Sequence, residues 1–212
     1  MVASCGEAAV SGVSLVDSIN VLLINVFSAL ATGGAVVAAQ YLGRGEPGQA
    51  SKAAKQLFYV SLIASTGIMT VCLLVQQPLL QLIFGSIEAD VMDNARTYFF
   101  WSLLSYPFLA LYNASAALLR SMGNSKASLE TSLVMNLTNL VGNALLIYVV
   151  RWGVAGAAIS TLFSRALGAV LMQRTLRRPE NSIPCPVLLR FEWHGDMVRR
   201  ILSVGIPTGM EN

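Results

Sequence analysis

The chain has 212 residues, of which 55% are hydrophobic and only 12% are charged, and its mean hydropathy is +0.62. A soluble domain carries roughly 25% charged residues, so this sequence has too few charges to cover a surface exposed to water. The 14 basic residues exceed the 11 acidic ones, but they lie in short segments between apolar runs. That placement is typical of membrane topology and excludes nucleic acid as a partner.

Five apolar stretches are long enough to cross a bilayer, whose hydrocarbon core is about 30 Å thick and requires about 20 helical residues. In chain order they are 18–43, 56–87, 97–119, 131–150 and 152–173. They must be helices, because lipid offers no hydrogen-bond partner to unpaired backbone groups. A further apolar segment begins at Ile201 and stops at Asn212, so we expect a sixth helix that is cut off.

The Lys and Arg residues between the spans indicate the topology. Eleven of them lie between the first and second spans, between the third and fourth, and after the fifth, whereas Arg96 and Arg151 lie on the opposite side. The side rich in basic residues is the cytoplasmic one in a cell membrane. The N-terminal residues would then lie outside, although residues 1–11 contain no signal peptide, and we expect one more helix upstream.

Polar side chains within the spans are the best candidates for a site, because each costs free energy in lipid and usually faces a bundle interior or a cavity. Ser132, Asn136, Asn139 and Asn143 share one face of the fourth span. We interpret this face as the wall of a cavity. For any single asparagine, hydrogen bonding between helices stays the alternative.

The first span carries a second, broader polar band. It consists of Asp17, Asn20, Asn25, Ser28 and Thr32. Asp17, near the outer end of the span, could exchange a proton or hold a cation, or it could be a hydrated residue at the membrane boundary. Arg165 interrupts the fifth span past its middle, and we expect its side chain to extend toward cytoplasmic water in a structural role.

No pattern typical of an enzyme or a metal site is apparent in the sequence. Cys5, Cys72 and Cys185 lack metal-binding or redox spacing, and His194 is the single histidine. A membrane enzyme would require His, Asp or Glu clustered at one depth. We therefore expect neither catalytic residues nor a metal.

Several motifs resemble, in order, segments of the multidrug and toxic compound extrusion (MATE) transporters. Residues 10–45, which include F-S-A-L-A-T-G-G-A-V-V-A-A-Q-Y-L-G-R-G, resemble the second transmembrane helix of that family and the turn after it. Residues 119–126, L-R-S-M-G-N-S-K, resemble the loop between helices four and five. Residues 136–147 resemble helix five, residues 153–161 the start of helix six, and residues 205–212 the start of helix seven.

The resemblance implies an all-α membrane protein in which this chain is a partial six-helix N-lobe of a twelve-helix transporter, truncated at both ends. Residues 1–176 would form helices two to six, residues 177–200 a cytoplasmic linker between the lobes, and residues 201–212 the start of helix seven. The family exports drugs and organic cations by antiport with H⁺ or Na⁺. The implied partners are the lipid bilayer, a small cationic organic substrate and the missing C-lobe, and no cofactor is expected besides the coupling ion.

The resemblance also implies a site. On helix five the family has Asn followed four residues later by Asp or Asn, at Asn139 and Asn143 here, and Thr161 corresponds to a polar position on helix six. Because the Asn143 side chain is an amide and cannot titrate, this helix is less suited to a proton relay. The identity of the coupling ion is therefore left open. The predicted cation and substrate cavity consists of Asn136, Asn139, Asn143, Thr161, Asp17, Asn20 and Asn25.

Two alternatives are left open. A lipid-linked oligosaccharide flippase of the same superfamily would require a cavity rich in Arg and Lys for pyrophosphate, and only Arg165 lies within the predicted spans. The other alternative is a truncated membrane protein that does not transport, because it lacks helix one and the C-lobe.

Overall fold

The computed structural model describes residues 2–85, 87–178, 181–183 and 192–210. Its helices are α1 (Glu7–Gly43), α2 (Pro47–Leu74), α3 (Gln76–Phe84), α4 (Ala89–Ser121), α5 (Ser125–Ala144), α6 (Gly153–Leu176) and α7 (Gly195–Met210). A 3₁₀ turn, Val2–Cys5, precedes α1, and a π-helical turn, Leu145–Val149, extends α5. Within the described residues, α1, α2, α4, α5 with its π turn, and α6 are long and apolar enough to cross a membrane. The prediction of an all-α membrane protein is confirmed.

The second predicted span, 56–87, is wrong as a single helix. α2 ends at Leu74 and α3 begins at Gln76. Pro78 lies in the first turn of α3, where its missing N–H breaks no helical hydrogen bond. Gln76 Nε2 donates to the backbone oxygen of Arg96 on α4 at 2.6 Å, which draws the start of α3 against α4. A run without charges shows how much chain suits lipid, but it does not show where a helix breaks.

The first helix extends well beyond its predicted span. α1 has 37 residues, which correspond to about 55 Å at 1.5 Å per residue, whereas the bilayer core is about 30 Å thick. Its first turns, from Glu7 onward, therefore reach past the apolar layer. The charge-free run that starts at Ser18 marks the part suited to lipid and not the start of the helix.

The last helix begins earlier than the predicted boundary at residue 201. α7 begins at Gly195 and carries Asp196 in its first turn, where a carboxylate interacts favourably with the positive end of the helix dipole. Residues 179–180 and 184–191 of the predicted linker, with Cys185 and Arg190, lie outside the described residues, as do residues 211–212 of the predicted seventh helix. The division of the chain at residues 176 and 200 stays a prediction.

The segments predicted to be cytoplasmic meet at one end of the bundle. Lys55 Nζ, at the start of α2, lies 3.3 Å from Glu192 Oε2. Arg200 Nη1 of α7 donates to the Tyr41 hydroxyl at the end of α1, at 2.8 Å. The turn after α4 borders the same cleft as Asn181. This shared end agrees with the charge pattern, while the side of the membrane on which it lies stays a prediction.

The bundle is organised around α4, which packs against α1, α2 and α6, while α5 packs mainly against α6. Buried side chains form two clusters. One lies at the shared end and includes Leu57, Leu118 and Ile201. The other lies toward the opposite end and includes Phe99 and Tyr106. The polar residues of the candidate site lie beside this second cluster.

Candidate functional site

Asn139 and Asn143 lie one turn apart on α5 and are joined directly. Asn143 Nδ2 donates to Asn139 Oδ1 at 3.1 Å, and Asn139 Nδ2 donates to Thr161 Oγ1 on α6 at 3.1 Å. Ser160 Oγ donates to the backbone oxygen of Asn139 at 3.0 Å. The structure thus brings three of the predicted site residues into one hydrogen-bonded group across α5 and α6.

Small residues make this approach of α5 and α6 possible. A methyl group at Gly142 would overlap the Ser160 hydroxyl, and one at Gly156 would lie 3.1 Å from the backbone oxygen of Leu146. In a membrane, small residues of this kind let helix backbones approach closely. They set the short distance across which the Asn139 amide reaches Thr161.

A second polar group joins α1 to α4. Asn20 Nδ2 donates to Asp17 Oδ1 at 3.2 Å, and the Tyr106 hydroxyl donates to Asn20 Oδ1 at 2.7 Å. Asn20 is 3% exposed and Tyr106 is fully buried. Asn20 is therefore held by α4 in the orientation that directs its amide to the Asp17 carboxylate.

Tyr98 of α4 connects the two groups. Its side chain interacts with both Asp17 of α1 and Thr161 of α6. A set of polar side chains on α1, α4, α6 and α5 is thereby linked inside the bundle. We call this set the polar network; it consists of Asp17, Asn20, Tyr98, Tyr106, Thr161, Asn139 and Asn143.

The expected orientation of Arg165 is wrong. Its Nη1 donates to Ser105 Oγ on α4 at 2.6 Å, and the Asp17 carboxylate is near enough to contribute to the electrostatics of the guanidinium. The side chain therefore turns inward instead of reaching cytoplasmic water. The physical reason is charge compensation, because a cation inside the bundle is stabilised by a carboxylate and oriented hydroxyl groups.

Two predicted site residues lie outside the polar network. Asn25 of α1 and Asn136 of α5 are both exposed. Within the described part of the chain, neither forms a hydrogen bond to the network. Their place in a cavity stays a prediction.

Sequence reasoning missed Tyr98 and Ser105 as site residues. Tyr98, Ser102, Ser105 and Tyr106 recur at helical spacing on α4, so they form a polar face of the same kind as the one on α5. A buried tyrosine usually finds a partner for its hydroxyl. This face was the signal in the sequence that could have identified the link between α1 and α6.

One side-chain oxygen of the polar network could accept a bond from a ligand. Asn143 Oδ1 is buried and has no hydrogen-bond partner among the described residues, whereas buried acceptors in proteins are usually satisfied. An unpaired amide oxygen is a suitable ligand for a hard cation such as Na⁺, which prefers oxygen donors. Among the described residues, no group of three His, Cys, Asp or Glu side chains is placed to hold a metal ion.

Comparison with known proteins agrees with the geometry. The MatE family model matches residues 1–145. The uncharacterized transporter YisQ of Bacillus subtilis strain 168 is 28% identical over 218 residues, which cover 100% of this chain and 47% of that protein. The probable multidrug resistance protein NorM of Thermotoga maritima is 26% identical over 210 residues, which cover 96% of this chain and 44% of that protein.

The fold matches a solved structure over nearly its whole length. That structure is the inward-facing conformation of a multidrug resistance MATE family transporter of the MOP superfamily; the TM-score is 0.90 at 21% identity, covering 97% of this chain and 46% of that one. The chain spans about half the length of the curated relatives that it matches. The matched family model, the fold and the membrane-spanning helices agree, and this chain belongs to the MatE family of multi-pass membrane transporters.

Proposed function

We propose that this chain is part of a secondary active transporter that exports drugs or organic cations across the cell membrane by antiport with H⁺ or Na⁺. The observation that carries the proposal is the polar network, which links α1, α4, α5 and α6 inside a bundle of apolar helices. Polar and ionisable groups inside a membrane typically mark an ion or substrate path. The name of the Thermotoga maritima relative, a probable multidrug resistance protein, supports drugs as the substrate class.

The chemistry of the network suits a small cation. Asp17 supplies a carboxylate, Tyr98 and Thr161 supply hydroxyl oxygens, and Asn143 Oδ1 is buried without a hydrogen-bond partner among the described residues. Carboxylate, amide and hydroxyl oxygens together favour Na⁺, while Asp17 is the group of the network that a proton could neutralise. The network is therefore compatible with either H⁺ or Na⁺ as the coupling ion.

Cation binding would act through the arrangement of the helices. The network ties α1 to α4 through Asn20 and Tyr106, and α5 to α6 through Asn139 and Thr161. A cation that interacts with groups on several helices binds one arrangement of them more tightly than another and shifts the population toward it. In alternating access, this bias would favour one orientation of two lobes around the substrate cavity.

This chain would act together with the remainder of the transporter. We assign α1, α2, α4, α5 and α6 to helices two to six of the N-lobe, and α7 to the start of helix seven. Substrate would bind between this lobe and the C-lobe, so we expect the 212-residue chain alone not to transport. A pyrophosphate-binding flippase cavity would require several basic side chains, and Arg165 is directed to Ser105 of α4.

The decisive experiment measures ethidium efflux by the whole transporter that contains this chain, in a host without other exporters. Asp17→Asn should reduce the efflux rate at least about tenfold, because it removes the one carboxylate of the network. Asp93→Asn is the matched control, since the Asp93 side chain is 79% exposed at the start of α4, and it should leave efflux unchanged. Efflux that persists in D17N, or that continues without proton and sodium gradients, would exclude coupling at this site.

A further inference from the structure

Two groups of opposite charge, Asp17 of α1 and Arg165 of α6, are brought near each other by neighbouring residues of α4. Arg165 donates to Ser105, and the next residue, Tyr106, donates to Asn20, whose amide donates to the Asp17 carboxylate. No direct salt bridge joins them in the part of the chain that the structure describes. Tyr98 lies on α4, the helix that packs against both α1 and α6. A carboxyl group and a guanidinium therefore share this part of the bundle.

A cation that arrives at Asp17 would meet a positive charge already in place. With Arg165 nearby, the added cation leaves one uncompensated positive charge in apolar surroundings, which is costly. Unit charges about 10 Å apart repel enough at an effective dielectric constant of about 20 to change a binding constant by roughly tenfold. Without Arg165, the same cation would neutralise Asp17.

The Arg165 side chain can also move away from the position that it occupies in this structure. This side chain is long and flexible, and within the described part of the chain its Nη1 is held by one hydrogen bond, to Ser105. Arg165 lies one helical turn beyond Thr161, the residue that accepts from Asn139. Movement of the guanidinium would therefore disturb Thr161, the residue that joins α6 to α5.

We propose that Arg165 is a built-in competitor of the coupling cation, because its guanidinium compensates the Asp17 carboxylate whenever the cation is absent. This inference rests on the proposed function, in which Asp17 holds the cation. It adds that the positive charge of Arg165 lowers the affinity of the site, and that a bound cation repels the guanidinium from its present position. Arg165 is a positioning and tuning residue and not a ligand of the cation.

The test is binding of radioactive Na⁺ to the full 212-residue chain in lipid nanodiscs at one pH. Arg165→Gln should bind Na⁺ at least about tenfold more tightly than the wild-type chain. Arg165→Lys retains the positive charge and should bind Na⁺ as weakly as the wild-type chain. Arg174→Gln removes an exposed charge from the same helix and should leave the affinity for Na⁺ unchanged. The double variant D17N/R165Q should not show the tighter Na⁺ binding of R165Q.

The outcomes separate the inference from the proposed function. If R165Q and the wild-type chain bind Na⁺ equally and D17N abolishes binding in both, the cation site stands and competition by Arg165 is overturned. If neither binds Na⁺, the inference and the sodium site both fail.

A second measurement decides the matter if R165Q does not fold. In the wild-type chain, saturating NaCl but not choline chloride should shift the ¹⁵N resonance of Arg165 Nε, assigned by its loss in R165K. An unchanged resonance at saturating Na⁺ would overturn displacement of the guanidinium.

Discussion

At the scale of single residues, Thr161 is the junction of the polar network. Its hydroxyl accepts from Asn139 on α5 at 3.1 Å, and its side chain also interacts with Tyr98 on α4. Thr161→Val keeps the shape of the side chain and removes these interactions. Because polar contacts between membrane helices contribute about 0.6 to 1.7 kcal/mol each, T161V should lower the free energy of unfolding by about 1 kcal/mol.

The matched control for this prediction is Thr175→Val on the same helix. The Thr175 hydroxyl donates to the backbone oxygen of Leu171, one turn back on α6, so its loss breaks no contact between helices. Unfolding by a graded detergent titration measures both variants. Equal losses for T161V and T175V would show that the contact across α5 and α6 does not stabilise the bundle.

Spacing along one helix predicted part of the site. Asn139 and Asn143 share a face of α5, and Asp17 and Asn20 share a face of α1, as expected from positions three and four residues apart. Asn25 follows Asn20 by five residues, which turns it about 140° around the helix at 3.6 residues per turn, and it is exposed. The links made by Tyr98 and Arg165 depend on how whole helices are rotated against each other, which spacing within one helix cannot show.

At the scale of secondary-structure elements, the contact of α1 with α4 depends on Gly12. A Cβ at this position would lie 2.8 Å from the backbone oxygen of Val91 and 2.9 Å from the backbone nitrogen of Ala95. Backbone atoms cannot rotate away as a side chain can. Gly12→Ala should therefore push α1 from α4 and lower the free energy of unfolding by about 1–3 kcal/mol, as measured by thermal unfolding in detergent.

Gly67→Ala is the control for the G12A experiment. An added Cβ at Gly67 of α2 meets no atom of the described residues within 4 Å. Since alanine is a better helix former by up to about 1 kcal/mol, G67A should leave the stability unchanged or raise it. A stable G12A variant would mean that α1 and α4 are not packed as closely as described.

A second prediction for the elements concerns Gln56, which ties α2 to the residues before α7. Gln56 is fully buried; its Nε2 donates to the Glu192 backbone oxygen at 2.6 Å, and its Oε1 accepts from His194 N at 3.2 Å. Gln56→Ala should expose these backbone groups and speed hydrogen exchange at the His194 amide at least about fivefold, because a lost net hydrogen bond is worth about 1 kcal/mol.

Gln40→Ala is the matched control for Q56A, since Gln40 lies exposed near the end of α1. Hydrogen exchange followed by mass spectrometry on residues 192–198 compares the two variants. Unchanged exchange in Q56A would show that this buried amide does not hold the start of α7.

The extents of the elements were less predictable than their existence. Apolar runs indicated five membrane-spanning helices, because lipid requires long uncharged helices. The break at Val75 between α2 and α3 was not indicated, since the contact of Gln76 with Arg96 joins residues far apart in the sequence. The start of α7 at Gly195 was likewise missed, because Arg199 and Arg200 lie in helical turns that the charge pattern assigns to a linker.

At the scale of the whole molecule, the bundle has two chemically different ends. Contacts such as Lys55 with Glu192 and Tyr41 with Arg200 join the basic segments at one end. The Asp17 part of the polar network lies beside the core cluster near the other end. The charge pattern predicted that the basic segments share one end of the bundle, because the loops on one side of a membrane are enriched in Lys and Arg, while the cytoplasmic position of that end stays a prediction.

Both the topology and the proposed ion path require that the two ends lie on opposite sides of the membrane. The most direct measurement replaces Cys5, Cys72 and Cys185 by serine and introduces a single cysteine, either K52C near the start of α2 or D93C near the start of α4. On intact cells, a maleimide that cannot cross the membrane should label D93C, and it should label K52C only after the cells are permeabilised. Labelling of both cysteines from the same side would contradict a bundle of spanning helices with a cytoplasmic basic end.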